Sequence, residues 1–164
     1  MHISATHVKP REDLTEEDKI LPKTWAMKKK ASGRKKAIIN ACGYAQKKGE
    51  DYEENGTAAP VVNEITLRIV LALMLIARMA GNVYDIKGAF LHGQFINERR
   101  IHIDVPQRWE KHYPGNVLLE LLAPIYGLKQ SEFAFFTEML RIMKSMHHKR
   151  SKADPCLFYY WGMF

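Results

Sequence analysis

The feature that most restricts how this chain can fold is the ten-residue stretch at positions 84–93. A short apolar run, Val83 and Tyr84, leads to a single carboxylate at Asp85, and glycines at positions 88 and 93 punctuate the residues that follow. This order predicts a strand that ends at Asp85 and is followed by a sharp turn. A carboxylate in that position is suited to hold a divalent cation beside a phosphate. An aspartate near a glycine is also a common turn residue, so Asp85 alone does not decide between the two.

The longest apolar segment, residues 65–80, predicts a helix. Its apolar residues recur at helical spacing, as at Ile65, Ile69, Leu73 and Ile76. Because most other positions are apolar too, we expect the helix to be buried on more than one face, and Gly81 to end it. Two arginines interrupt the segment, and a membrane span needs roughly 20 apolar residues, so no membrane segment is predicted. The N-terminus lacks the apolar core of a signal peptide, which predicts an intracellular protein, cytoplasmic or nuclear.

Positive charge is concentrated at the front of the chain. Residues 1–50 contain 12 Lys/Arg against 6 Asp/Glu, a net charge of +6 out of +7 for the whole chain. A basic section on an otherwise balanced chain suggests a polyanionic partner, most simply nucleic acid, although a solvated basic face has the same composition. The two cysteines, Cys42 and Cys156, lack the spacing of a zinc site and fit a reducing compartment.

The basic section also predicts a β-hairpin. Two extended segments, residues 25–30 and 37–46, flank a turn that contains Gly33. Cations for phosphates and aromatic rings for stacking occur together here, which predicts a nucleic-acid-binding surface. For Trp25 we favour the simpler interpretation, that its ring packs the hairpin on the rest of the domain. The cations predicted to bind nucleic acid are Lys28, Lys29, Lys30, Arg34 and Lys35.

The rest of the chain predicts one domain preceded by a short lead-in. Residues 1–22 are polar, and we expect them to be poorly packed, with one short helix over residues 14–20; residues 23–164 then form the main domain. Residues 100–106 and 116–122 predict strands, and residues 132–147 predict a helix. Asp154 precedes a proline and is predicted to be a turn residue.

Several of these stretches together resemble the reverse transcriptases of copia-type LTR retrotransposons. Residues 84–93 are similar to the first catalytic motif of that family, and residues 25–30 and 36–46 are similar to its fingers segments. Residues 126–131 and 154–158 are similar to two later motifs. The motifs occur in the family's order, and the resemblance covers about residues 22–161.

The resemblance implies a fold and a set of site residues. The fold is α+β, a partial right-hand polymerase with a fingers hairpin and an incomplete palm sheet with packed helices. Asp85 is implied as a catalytic residue and, with the carbonyl of Ile86, as a ligand of Mg²⁺ in a two-metal site. The implied partners are an RNA or DNA template-primer and a dNTP. The residues implied to contact template or dNTP are Lys36, Phe90, Gly127 and Lys129.

The chain also departs from the family pattern. Ile38 and Cys42 stand where the family has cations, and no Asp-Asp pair occurs anywhere in the sequence. One carboxylate cannot hold two Mg²⁺ ions that require near-octahedral shells. We therefore expect a fragment of an RNA-directed DNA polymerase, truncated before the Asp-Asp hairpin and inactive alone. The alternatives are a non-catalytic nucleic-acid-binding remnant and a translated relic without function.

Overall fold

A computed structural model describes residues 6–95, 100–107 and 109–160. Within these ranges the chain is mixed α and β, with two helices and three small sheets, in agreement with the predicted α+β class. The right-hand polymerase arrangement remains a prediction. The elements are β1 (Thr6–Pro10), β2 (Lys19–Leu21), β3 (Lys23–Lys29), β4 (Lys35–Ala41), α1 (Glu64–Ile76), β5 (Ile101–Asp104), β6 (Val117–Leu121), α2 (Ser131–Ser145), β7 (Lys149–Arg150) and β8 (Phe158–Tyr159).

A four-stranded sheet in the order β1-β6-β5-β2 contains most of the core. β6 lies antiparallel to both β1 and β5, whereas β2 is parallel to β5. The predicted strands at residues 100–106 and 116–122 are thus confirmed as β5 and β6. Their buried side chains form one apolar cluster with the end of β2 and the end of β4; its strand members are Leu21, Ala41, Ile101, Ile103, Leu119 and Leu121.

The expected poor packing of the lead-in is wrong for the described residues. β1 and β2 both belong to the central sheet, and Leu21 is fully buried. The expected helix over residues 14–20 is also wrong, because residues 19–21 pair with β5 and Thr15 and Asp18 form a turn. Pairing with a distant strand here outweighs a local helix signal. The boundary between residues 22 and 23 remains a prediction.

The predicted hairpin is confirmed as β3 and β4. The two strands pair antiparallel from Lys23 opposite Ala41 to Lys29 opposite Lys35, and Gly33 in the turn has a φ of 78°. Trp25 packs edge-on against Trp109, with 5.8 Å between ring centroids, which agrees with the packing role favoured for it. β4 ends at Ala41 and not near residue 46, because a 3-10 turn begins at Gly43.

The predicted apolar helix is present as α1, but its burial and its end are not as expected. Asn63 caps the helix, accepting a hydrogen bond from the Ile65 amide at 2.8 Å. No residue of α1 is buried, and the left-handed residue after the helix is Arg78, with a φ of 52°, rather than Gly81. Apolar content shows that a segment prefers burial, but burial itself requires an element that covers it.

The predicted strand leading into Asp85 is wrong. Residues 81–86 are irregular, and Val83 and Tyr84 are 100% and 86% exposed. A strand needs a hydrogen-bonded neighbour, and no described strand pairs with these residues. The predicted second helix is confirmed as α2, whose Ala134 lies against Gly93: a Cβ on Gly93 would be 2.9 Å from the Ala134 carbonyl carbon.

Candidate functional site

Two of the motif stretches, far apart in sequence, form one junction at the base of the hairpin. The Ala41 amide donates to the Tyr126 carbonyl at 2.8 Å, and the Gly43 amide donates to the Gly127 carbonyl at 3.1 Å. Gly127 has a φ of 92°, and a Cβ there would be 2.0 Å from the Ala41 carbonyl oxygen. The approach of the two backbones therefore requires glycine at position 127.

Side chains close the same junction. The side-chain nitrogen of the buried Gln46 donates a hydrogen bond to the side-chain oxygen of Gln130 at 2.9 Å. The side-chain oxygen of Gln46 accepts a hydrogen bond from the backbone amide of Lys129, also at 2.9 Å. Buried amides are costly unless they are hydrogen-bonded, so these two bonds favour one arrangement of the junction. The Lys129 ammonium lies 5.6 Å from the centroid of the Tyr52 ring, and Lys129 is exposed. Lys129 is thus anchored by its backbone while its charge faces solvent.

Phe90 joins this junction through an aromatic contact. It lies in a 3-10 turn over Ala89–His92 and packs edge-on against Tyr126, with 4.7 Å between ring centroids. Phe90 also packs edge-on against Phe135 of α2, with 6.5 Å between ring centroids. Phe90 and Gly127 are therefore brought together, because Tyr126 precedes Gly127 and contacts Phe90.

Six exposed cations lie at the tip of the β3–β4 hairpin: Lys28, Lys29, Lys30, Arg34, Lys35 and Lys36. Lys28 lies opposite Lys36, and Lys29 opposite Lys35. Like charges directly across a sheet are destabilising, so these pairs are not explained by the stability of the hairpin. Among the described residues, these cations form no ion pair. Lys36 is part of this exposed set and is not part of the junction at the hairpin base.

Asp85 and Ile86 lie in the irregular segment before the Phe90 turn. Both are exposed. Asp85 is the only acidic residue between Glu64 and Glu98 in the sequence. Within residues 6–95, 100–107 and 109–160, no three His, Cys, Asp or Glu side chains form a group that could hold a metal ion.

The sequence profile of the family "Reverse transcriptase (RNA-dependent DNA polymerase)" matches residues 11–162. The chain belongs to the reverse transcriptase family. No solved structure matches it.

Curated relatives of this reverse transcriptase chain are transposon polyproteins of plants. It is 31% identical over 140 residues to the "Retrovirus-related Pol polyprotein from transposon TNT 1-94" of Nicotiana tabacum, a match that covers 82% of this chain and 10% of that protein. It is 30% identical over 125 residues to the corresponding polyprotein from transposon RE1 of Arabidopsis thaliana, covering 76% of this chain and 8% of the relative. The chain therefore spans about a tenth of the length of the relatives it matches. The resemblance to retrotransposon enzymes is confirmed.

The reverse transcriptase family is generally metal-dependent. Mg²⁺ prefers a near-octahedral shell of oxygen ligands, usually including one or two carboxylates. Asp85 supplies one carboxylate, and among the described residues it belongs to no group of three or more His, Cys, Asp or Glu side chains that could hold a metal ion. The described residues therefore do not fit a complete two-metal site.

Asp154 is confirmed as a turn residue, and it has a second contact that the sequence did not predict. Its carboxylate accepts a hydrogen bond from the Cys156 backbone amide at 2.8 Å and another from the Asn63 backbone amide at 2.9 Å. These two backbone hydrogen bonds lower the pKa of Asp154. Because Asn63 is the N-cap of α1, Asp154 fixes the start of that helix to the turn before β8. No local signal indicates a contact over 91 residues.

His102 of β5 belongs to a buried polar cluster that the sequence pattern does not indicate. The alternation of residues 101–104 predicts a half-exposed strand, yet His102 is fully buried between Asp18 and Glu120. Burial lowers the pKa of His102, opposed by the two carboxylates. Burial raises the pKa of Asp18, but hydrogen bonds from Lys9 and Thr15 outweigh it and hold that pKa well below its usual range.

The described helices include none that is long and apolar enough to cross a membrane.

Proposed function

We propose that this chain is the part of a retrotransposon RNA-directed DNA polymerase that holds template and dNTP, and that it does not polymerise alone. The observation that carries the proposal is the junction of residues 41–46 with residues 126–130 beside Phe90. It joins the base of the basic hairpin to the segment that carries the exposed Lys129 and to the Phe90 ring, and the hairpin cations lie farther out at the tip. Cations near a ring that can contact a sugar are suited to a nucleoside triphosphate paired with a template strand.

The same proposal assigns Asp85 a partial role in chemistry. In nucleotidyl transfer the bound metal ions activate the attacking hydroxyl and neutralise the triphosphate. Asp85 and the Ile86 carbonyl would contribute ligands to such a site only beside further carboxylates. Since no group of three or more metal-ligating side chains forms among the described residues, the chain is expected to bind substrates without joining nucleotides.

Primer extension tests the catalytic half of this proposal. The purified chain is incubated with an RNA template, a DNA primer, dNTPs and Mg²⁺ or Mn²⁺, beside Asp85→Ala. We expect no extension above background for either protein. Extension by the wild type that is lost in Asp85→Ala would contradict the proposed inactivity and would establish Asp85 as a working catalytic residue.

Substrate binding tests the other half. Fluorescence anisotropy with a labelled template-primer, with and without dNTP, compares the wild type with Lys36→Gln/Lys129→Gln. We expect the variant to weaken binding several-fold, since each lost cation removes about one phosphate contact. Lys144→Gln/Lys152→Gln removes the same charge from exposed positions elsewhere and is expected to have little effect. Equal affinity of all three proteins would remove Lys36 and Lys129 from the proposal.

The exposed cation pairs of the hairpin favour a second candidate, nucleic-acid binding without any polymerase role. It predicts RNA binding that weakens steeply with salt and weakens again in Lys28→Gln/Lys29→Gln/Lys30→Gln, because counterion release drives such binding. It also predicts no effect of dNTP on that affinity. An increase in template-primer affinity on adding the matching dNTP supports the polymerase candidate instead. Undetectable nucleic-acid binding together with a non-cooperative thermal melt would favour the remaining alternative, a translated relic without function.

A further inference from the structure

The hairpin tip carries positive charge on both of its faces. Residues directly opposite in an antiparallel pair share a face, and successive residues alternate. Lys28 and Lys36 therefore share one face, and Lys29 and Lys35 share the other. Lys30, whose amide donates to the Arg34 carbonyl at 2.9 Å, continues the face of Lys28.

The two faces differ at the base of the hairpin and become alike at the tip. On the face of Lys29, Trp25 packs against Trp109, and Ile39 packs against the core cluster. Beyond Met27, which is 63% exposed, all six cations of the tip are exposed. No acidic residue occurs between Lys19 and Gly49 in the sequence, so nothing on the hairpin itself neutralises either face.

This distribution restricts what kind of polyanion the tip is built to contact. One phosphate backbone lying along a sheet face neutralises the cations of that face and leaves the opposite pair in solvent. Two phosphate backbones, one on each side of the ribbon, neutralise both pairs. The walls of a nucleic-acid groove supply two such backbones. The major groove of B-form DNA is about 12 Å wide and admits a two-stranded β-ribbon.

We propose that the tip of the β3–β4 hairpin inserts into a groove of duplex DNA and contacts the phosphates of both strands. This inference rests on the proposed function, for which it names the form of nucleic acid that the hairpin binds. DNA is favoured over an RNA duplex, because the major groove of A-form RNA is deep and too narrow for side chains to enter. The opposed cations are then relieved of their mutual repulsion when the duplex is bound.

Binding by variants of each face tests this inference. Fluorescence anisotropy measures the affinity of the full chain for a short labelled DNA duplex and for one of its strands, over a range of salt concentrations. The two face variants are Lys28→Gln/Lys36→Gln and Lys29→Gln/Lys35→Gln, and the matched control is Lys144→Gln/Lys152→Gln. We expect each face variant to weaken duplex binding roughly tenfold and to reduce the salt slope by about 1.8, with the control near the wild type.

The outcomes separate this inference from the proposed function. Loss of duplex affinity in only one face variant, or a single strand bound as tightly as the duplex, overturns groove insertion and leaves a one-sided nucleic-acid surface intact. No binding to duplex, strand or template-primer overturns the proposed function as well. Thermal melting checks the fold of the variants. Because each removes a repulsive cross-strand pair, neither is expected to melt below the wild type.

Discussion

At the scale of single residues, Gly127 determines whether the two motif stretches can meet. Its φ of 92° is unfavourable for any residue with a Cβ, and that Cβ would be 2.0 Å from the Ala41 carbonyl oxygen. We expect Gly127→Ala to lower the free energy of unfolding by at least about 2 kcal/mol, measured by urea denaturation. Gly115→Ala is the control, because no atom lies within 4 Å of a Cβ there. Equal effects of the two substitutions would mean that the close backbone contact does not hold the junction.

His102 predicts a pH dependence at the same scale. Its Nδ1 lies 3.8 Å from Asp18 and its Nε2 lies 4.0 Å from Glu120, and within the described residues neither nitrogen has a hydrogen-bond partner. Lys9 and Arg100 are the nearby cations. Because burial lowers the pKa of His102 in the fold, the unfolded chain binds the proton more readily. Stability is then full above the unfolded value of about 6.5 and is lost as the pH falls below it.

Urea midpoints between pH 7.5 and 5.5 measure this effect. The wild type is expected to lose stability as the pH falls across that range, and His102→Asn is expected to flatten the dependence whatever its absolute stability. His147→Asn, a change at an exposed histidine, is expected to keep the wild-type slope. A slope that persists in His102→Asn would assign the pH dependence to another group.

At the scale of elements, the sequence predicted what local pattern determines. The hairpin, β5, β6 and α2 each have a periodicity and turn residues that identify them without reference to the rest of the chain. Residues 19–21 and 83–84 have no local pattern of this kind, because whether such short segments form strands depends on a neighbouring strand that pairs with them. Lys19–Leu21 gained a partner in β5 and became a strand, whereas Val83 and Tyr84 have none among the described strands.

For the candidate site, too, local sequence motifs indicate some features and not others. Its residue types were recognisable from short motifs, but their contacts were not. The bond from Gln46 to Gln130 joins residues 84 positions apart, and no periodicity indicates it. The same holds for Asp154 and the Asn63 cap. The candidate residues named from these motifs stay a prediction, and only the fold shows that residues 41–46 and 126–130 pack together.

Two leucines test how differently the elements use apolar residues. Leu119 of β6 is fully buried, whereas Leu75 of α1 is 81% exposed. We expect Leu119→Ala to lower the free energy of unfolding by about 2–5 kcal/mol, through lost burial and the cavity left behind. Leu75→Ala is expected to change it by less than about 0.5 kcal/mol. Similar losses in chemical denaturation would show that α1 is packed in solution.

At the scale of the whole molecule, the described surface combines a basic hairpin with an exposed apolar segment. From Val61 to Ile86 most of the large apolar side chains are exposed, and α1 contributes more than half of these. Contiguous apolar patches on a protein surface promote association, while net charge of one sign opposes it. The net charge of +7 therefore opposes association, whereas the exposed apolar segment favours it. At high salt the charge repulsion is screened, so we expect apolar association to dominate.

We therefore expect the free chain to associate through α1 as its concentration and the salt concentration rise. Static light scattering should show an average mass that grows above the 19.0 kDa of one chain. Leu67→Lys/Leu75→Lys interrupts the apolar surface of α1 and should keep the mass near that of one chain. Thr137→Lys/Ala153→Lys adds the same charge at exposed positions elsewhere and should leave the association in place. If both variants reduce it equally, net charge rather than the α1 surface controls association, and a constant mass for the wild type would exclude both.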